Sequence, residues 1–130
     1  EVRATATGQA FFGRILVDPT QPDRLVAADV RAGPVASSDG GRSWRPLGGV
    51  PGATWVSWSA DMATLIASGP RGAARSTDEG RSWEPLTLPD GAVMVEATSG
   101  SDTTLYAGGL VGTSAKVWVS RDAGRTWGRP

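Results

Sequence analysis

An all-β repeat fold is the class this sequence predicts, on three observations. One eight-residue signature occurs three times, 18 Gly and 9 Pro are spread over 130 residues, and no apolar pattern of helical period competes with short alternating runs. Gly and Pro stay out of helix interiors and punctuate chains built from short strands and tight turns. A signature recurring at this spacing means an array of like units, and the array has to be read before any single side chain.

The signature is Ser-x-Asp-x-Gly-x-(Ser/Thr)-Trp. Its copies are Ser37-Ser38-Asp39-Gly40-Gly41-Arg42-Ser43-Trp44, Ser76-Thr77-Asp78-Glu79-Gly80-Arg81-Ser82-Trp83 and Ser120-Arg121-Asp122-Ala123-Gly124-Arg125-Thr126-Trp127. Three matches with a rare Trp in register exclude chance. Upstream of each lies a second matching run, Arg24–Ala28, Thr64–Ser68 and Thr104–Gly108, in which Leu25, Leu65 and Leu105 are spaced by 40 and 40. The signature Trp residues are spaced by 39 and then 44, because the last repeat carries a longer connection, 110–116, which is expected to form a loop.

Each repeat then divides into four strands. The inner strand holds Ile15-Leu16-Val17, Val56-Ser57-Trp58 or Val93-Met94-Val95, and the second is centred on the Leu run. The third enters the signature (Pro34-Val35-Ala36, Ala73-Ala74-Arg75, Val117-Trp118-Val119), and the fourth begins at the Trp. Turn-rich links at 18–23, 60–62 and 100–103 separate the first two strands, as a meander of hairpins requires. Four short strands per repeat of about 40 residues is the pattern of a propeller blade. The expected fold is thus a partial β-propeller of three four-stranded blades, at about 8–48, 49–88 and 89–130, with residues 1–7 as an outer strand of a neighbouring blade.

The signature resembles the Asp-box of the sialidase-like, or bacterial neuraminidase repeat, families. Its chemistry is structural: a short carboxylate can accept from backbone N–H groups close ahead, a Gly can take positive φ, and a hydroxyl can satisfy another backbone group. Ser37, Asp39, Gly41 and Trp44, Ser76, Asp78, Gly80 and Trp83, and Ser120, Asp122, Gly124 and Trp127 are accordingly assigned as structural residues. Each Trp is expected to bury about 150–250 Å² over its blade.

Composition excludes whole classes of chemistry. With no Cys and no His, thiol nucleophiles, Ser-His-Asp triads, imidazole metal sites and zinc fingers are absent, and no metal or cofactor is expected. Thirteen basic and thirteen acidic residues leave a formal net charge of zero, so nothing asks for a nucleic acid. No run approaches the roughly 18 apolar residues of a membrane span, and the first residues lack the basic and apolar regions of a signal peptide. The resemblance implies an extracytoplasmic protein, secreted or periplasmic.

Propellers normally close with about 4 to 8 blades, and three are present. Glu1 aligns with Glu84, one residue past a signature Trp, and the sequence stops three residues after Trp127. The expectation is part of a ring whose missing blades come from the same chain or from a second copy, with the first favoured.

In propellers of this resemblance, ligands bind near the axis on the face opposite the boxes. That face is expected to hold Asp29, Arg31, Trp55, Arg71 and Asp90. Asp29 is the sharpest candidate, since the equivalent positions, four after each Leu, are Gly69 and Gly109. The stretch Gly13–Val30 also resembles the opening blade of the twin-propeller glycosidases that hydrolyse xyloglucan, which implies Asp29 as a catalytic carboxylate, although Arg31-Ala32-Gly33-Pro34 departs from that family's pattern. Glycoside hydrolysis needs a second carboxylate at about 5–9.5 Å, and the sequence identifies none. A sialidase needs a Tyr nucleophile and three arginines; Tyr106 is the single Tyr and aligns with Val26 and Ile66 inside a strand. Trp58 and Trp118 read as core, and Trp55 as either a sugar-stacking ring or a cover for the blade end. Gly108, Gly109 and Gly112 lack the strand-to-helix context and Lys of a phosphate loop. Arg42, Arg81 and Arg125 read as solvated charges. The functional expectation is a non-catalytic module for a glycan or protein ligand; the alternative is a fragment of a glycoside hydrolase, polysaccharide-active or sialidase-like.

Overall fold

The computed structural model describes residues 12–29, 31–59, 62–98 and 101–130. Among them every regular element is a strand, and the strands form three antiparallel sheets, one per repeat. Blade 1 holds β1 (Phe12–Val17), β2 (Leu25–Asp29), β3 (Gly33–Ser37) and β4 (Arg45–Pro46), in that order across the sheet. Blade 2 repeats the meander with β5 (Trp55–Trp58), β6 (Leu65–Gly69), β7 (Gly72–Ser76) and β8 (Glu84–Leu86). Blade 3 is built from β9 (Ala92–Thr98), β10 (Ser101–Val111) and β11 (Ser114–Ser120). The inner strands β1, β5 and β9 of successive blades lie side by side, so the three sheets radiate from one axis as part of a β-propeller.

Register explains which side chains meet. In every blade the equivalent pairs align: Leu25 opposes Ser37, Leu65 opposes Ser76, and Leu105 opposes Ser120. Because side chains alternate across a strand, each sheet has a backward face, carrying Leu65, Ala67 and Val56 in blade 2, and a forward face, carrying Ile66 and Ser68. The forward face of blade 1 (Leu16, Val26, Ala28, Ala36) packs on the backward face of blade 2 (Val56, Leu65, Ala67, Ala74). The forward face of blade 2 (Ile66, Ala73) packs in the same way on Val95, Leu105 and Ala107 of blade 3. The core is therefore two seams rather than one centre, and its many alanines let the sheets approach closely. Two hydroxyls stitch the second seam, since Ser68 Oγ accepts from the Val95 N–H at 2.9 Å and Ser57 Oγ from the Ala97 N–H at 2.8 Å.

Prolines mark the outer edges. Pro46 and Pro85 sit on β4 and β8, the outermost strands, where a missing N–H leaves no ladder bond unmade.

Three expectations differ from the structure. The stretch 110–116 is a hairpin and not a loop: β10 runs on to Val111, Gly112 and Thr113 make the turn, and β11 starts at Ser114. Gly112 at φ +63° occupies the first central position, where a two-residue hairpin turn demands positive φ, and the flanking Leu110, Val111 and Val117 favour strands. The link at 100–103 is mostly strand, because β10 begins at Ser101, with a register shift against β9 between Ser101 and Leu105 and with Gly100 outside the described residues. Blade 3 has three strands, its fourth reduced to a single bridge between Val119 and Gly128. Residues 1–7, expected as an outer strand, lie outside the described residues.

Candidate functional site

Strand direction sorts the candidates onto two ends of the blades. Val17, Leu25 and Ser37 are paired at one end of blade 1, where the signature turn follows; Phe12, Asp29 and Gly33 are paired at the other. The box face and the opposite face are thereby defined.

On the box face each signature makes the same hydrogen bonds. The Ser37 hydroxyl donates to Asp39 Oδ1 at 2.8 Å and accepts from the Gly41 N–H at 2.9 Å. Asp39 accepts at Oδ1 from the Ser43 N–H and at Oδ2 from the Ser43 hydroxyl. Ser76, Asp78, Gly80 and Ser82 repeat this network, as do Ser120, Asp122, Gly124 and Thr126. Hydrogen bonds to a carboxylate favour its charged form. The Ser82 hydroxyl and N–H accordingly lower Asp78 to about 2, those of Thr126 lower Asp122 to about 2, and those of Ser43 hold Asp39 well below the usual carboxylate range.

The Trp side chains link blades. Trp83 Nε1 donates to the Leu47 carbonyl of blade 1 at 3.1 Å, and Trp127 Nε1 to the Thr87 carbonyl of blade 2 at 2.7 Å. Trp44 donates within its own turn, to the Gly41 carbonyl.

On the opposite face the five candidates do not converge. Asp29 is buried in the turn between β2 and β3, where its Oδ1 accepts from the Arg31 N–H at 2.8 Å and the Ala32 N–H at 3.2 Å. That is the geometry of a short polar side chain holding its own turn. The glycines at the equivalent positions have their own cause. A Cβ on Gly69 would lie 2.8 Å from the Gly52 carbonyl oxygen, and one on Gly109 1.8 Å from that of Gly91, because the link from the preceding blade passes over each. Arg31, Arg71 and Asp90 are exposed, and no described ion pair joins them. Trp55 is half-buried, and its neighbours come from other blades. The Arg14 guanidinium stacks 4.7 Å from the Trp55 ring centroid and also pairs with both carboxylate oxygens of Glu96. One residue from each of three inner strands meets at the axis, while Trp55 Nε1 is buried without a hydrogen-bond partner. Glu96 could not be found from the sequence, since nothing local connects it to Arg14, 82 positions away.

A concavity lies instead on the box face, between blades 1 and 2. It measures about 730 Å³ and is bounded by the β1–β2 link, the start of β4 and the turn of the second signature. Leu25, Leu47, Leu65 and Trp58 give it apolar walls. Arg24 spans it, over the Trp58 ring at 5.2 Å, bonded to Asp18 at 3.1 Å and to Glu79 of the neighbouring blade at 2.7 Å. Asp18 is held below the usual carboxylate range by the Thr20 hydroxyl and N–H and by Arg24. Arg45 and Arg81 flank the groove, exposed, with no described carboxylate partner. The corresponding groove between blades 2 and 3 is smaller, about 230 Å³, with Glu84 where the first has Arg45. Both box grooves arise because Gly80 and Gly124 bring the turn against Leu47 and Leu86 of the preceding blade. Among the described residues no cluster of acidic side chains could hold a metal ion.

No family model matches this chain, and no curated protein matches it. Solved structures do. YCF48 from Cyanidioschyzon merolae aligns at a TM-score of 0.67 and 21% identity, over 92% of this chain and 36% of that one. YCF48 bound to D1 peptide aligns equally well, over 39% of its length. The GH74 enzyme of Niastella koreensis gives a TM-score of 0.71 at 15% identity, over 95% of this chain and 23% of that one. The chain thus spans 23% to 39% of the length of these propeller proteins, and at these identities the likeness shows the fold.

Proposed function

We propose that this chain is part of a non-catalytic Asp-box propeller that binds a protein segment, and that the groove between blades 1 and 2 receives it. The groove carries the reading. Its volume falls within the roughly 300–1,000 Å³ of ligand sites, and it joins apolar walls to a few convergent polar groups. A peptide fits this composition, with side chains against Leu25, Leu47 and Trp58 and carboxylates or backbone carbonyls toward Arg45 and Arg81. That a propeller of similar shape, YCF48, is known bound to D1 peptide supports a peptide over a glycan as occupant. Membership of the Asp-box family and an extracytoplasmic location belong to the same proposal and rest on the repeated signature. The blades needed to complete the ring are the remaining partners.

Asp29 weighs against the hydrolase alternative, because its carboxylate holds two backbone N–H groups of its turn. The test screens the chain on peptide and glycan arrays and assays hydrolysis of β-glucans and sialosides. Peptide binding weakened at least tenfold by Arg45→Ala with Arg81→Ala, without sugar release, is the expected result. Sugar release that disappears in Asp29→Ala would overturn it.

A further inference from the structure

We propose that the Asp90-Gly91 pair, on the link from blade 2 to blade 3, is a site of spontaneous covalent modification at which the aspartate isomerises to isoaspartate. The inference is independent of the groove and of what binds there.

The chemistry needs two groups one residue apart. The backbone nitrogen of the following residue attacks the carboxyl carbon of the aspartate, and the neutral carboxyl loses its hydroxyl as water, closing a five-membered imide. Water then opens that ring at either carbonyl. Opening at the side-chain carbonyl restores aspartate; opening at the backbone carbonyl routes the main chain through Cβ and Cγ and frees an α-carboxylate. The water lost is the water regained, and nothing is oxidised. Glycine favours the step, because it has no Cβ to shield the nitrogen and its backbone turns freely. The sequence holds two such pairs, Asp39-Gly40 and Asp90-Gly91, and no Asn.

The fold protects the first pair and leaves the second open. At the box turn the nitrogen is engaged, because the Gly40 N–H donates to the Asp23 carbonyl at 2.9 Å. The carboxylate is engaged as well: Asp39 accepts from the Ser37 hydroxyl at 2.8 Å, from the Ser43 N–H at 2.9 Å and from the Ser43 hydroxyl at 2.6 Å. The Ser43 hydroxyl and N–H keep it in the charged form, which resists nucleophilic attack. On the link, Asp90 and Gly91 are both exposed. Among the described residues neither the Asp90 carboxylate nor the Gly91 N–H has a hydrogen-bond partner. The pair is the centre of a β-turn closed by the Ala92 N–H on the Pro89 carbonyl at 3.1 Å, with Gly91 at φ +93°. Type I and type II turns differ only in the rotation of that central peptide, so the nitrogen can swing toward the carboxyl while the closing bond stays.

The place of the pair gives the modification a structural effect. The Gly91 carbonyl accepts from the Leu110 N–H at 3.1 Å, and a Cβ on Gly109 would lie 1.8 Å from its oxygen. An isoaspartyl residue lengthens the main chain by one carbon beside this close approach, so the link cannot keep both its turn and the bond to Leu110. Blade 3 then loosens from blade 2.

Ageing the native chain at neutral pH and body temperature, beside a parallel sample in urea, tests the site. Isoaspartate is located by peptide mapping with electron-transfer fragmentation. It is counted by methyl transfer from S-adenosylmethionine with an isoaspartyl methyltransferase, which acts on the freed α-carboxylate. In the native chain isoaspartate is expected at Asp90 roughly tenfold faster than at Asp39, or more. In urea the two rates should come within about twofold, because the protection of Asp39 belongs to the fold. Asp90→Glu, whose imide would need a six-membered ring, should remove nearly all of the native signal. Amide exchange at Leu110 should quicken in the aged wild type and not in the aged variant. Comparable accumulation at Asp39 and Asp90 in the native chain would overturn the proposal, as would a native chain that gains isoaspartate at neither. A tenfold difference that persists in urea would also overturn it, since the cause would then be local sequence. Unchanged exchange at Leu110 in a chain isomerised at Asp90 would overturn the effect assigned to blade 3.

Discussion

Replacing Gly80 by Ala measures how tightly a box turn is seated on its neighbour. Gly80 has φ +86°, and a Cβ there would lie 3.0 to 3.2 Å from three carbons of Leu47 in the preceding blade. An L-residue in the left-handed region costs about 1–2 kcal/mol. Crowding one methyl into a packed seam costs about 1–3 kcal/mol. Since the turn can relax against both strains together, we expect a loss of about 2–4 kcal/mol, or roughly 8–15 °C in Tm for a domain of this size. The control is its neighbour. Glu79 already sits at φ +63° with a Cβ in place, so Glu79→Ala removes only the ion pair to Arg24, worth about 0–1 kcal/mol at an exposed site. Thermal unfolding followed by circular dichroism compares the two. A Gly80→Ala protein that melts within about 2 °C of Glu79→Ala would refute the argument, because neither backbone strain nor the Leu47 contact would then be felt.

Two further outcomes follow from the hydrogen bonds. Asp78 and Asp122 are lowered from 3.8 to about 2 in the folded chain, so between these values the unfolded chain binds protons that the native one does not. Their contribution is complete above about pH 4 and disappears as pH falls through 2; urea midpoints measured from neutral pH downward should drop across that window, less steeply in Asp122→Asn, and an equal slope would contradict the assignment. Ser68→Ala should leave the buried Val95 N–H without a partner, at a cost of about 1–3 kcal/mol, and amide exchange at Val95 should quicken well beyond that at Val56.

What the sequence made legible was whatever repeats. The Leu runs and signatures placed β2, β3, β6 and β7 within a residue, because identical local chemistry recurs at each, whereas each strand of blade 3 runs up to three residues past its expected end. The hairpin at 110–116 escaped because insertions were read as loops, while a Gly at one turn position allowed strand on both sides. The axial meeting of Arg14, Trp55 and Glu96 and the Ser57 and Ser68 stitches were hidden for another reason. They join residues 27 to 82 positions apart that share no motif, and only register brings them together. The contrast of Asp29 with Gly69 and Gly109 was legible, but its cause on the glycine side was not: there a passing link leaves no room for Cβ. The concavity on the box face was not legible, because its walls come from two blades and share no motif.

The Ser, Asp and second hydroxyl of each signature close on one another, their side-chain bonds spanning two to four residues, while Trp83 and Trp127 reach the preceding blade. Contacts that local cost little chain entropy to form and can appear early, before distant strands have met. The blade seams are the reverse, uniting residues some 27 to 40 positions apart. Substitutions in the boxes should therefore slow folding, while substitutions along the seams should chiefly hasten unfolding. A protein assembled this way carries its folding instructions in its turns and its lifetime in the joints between its blades.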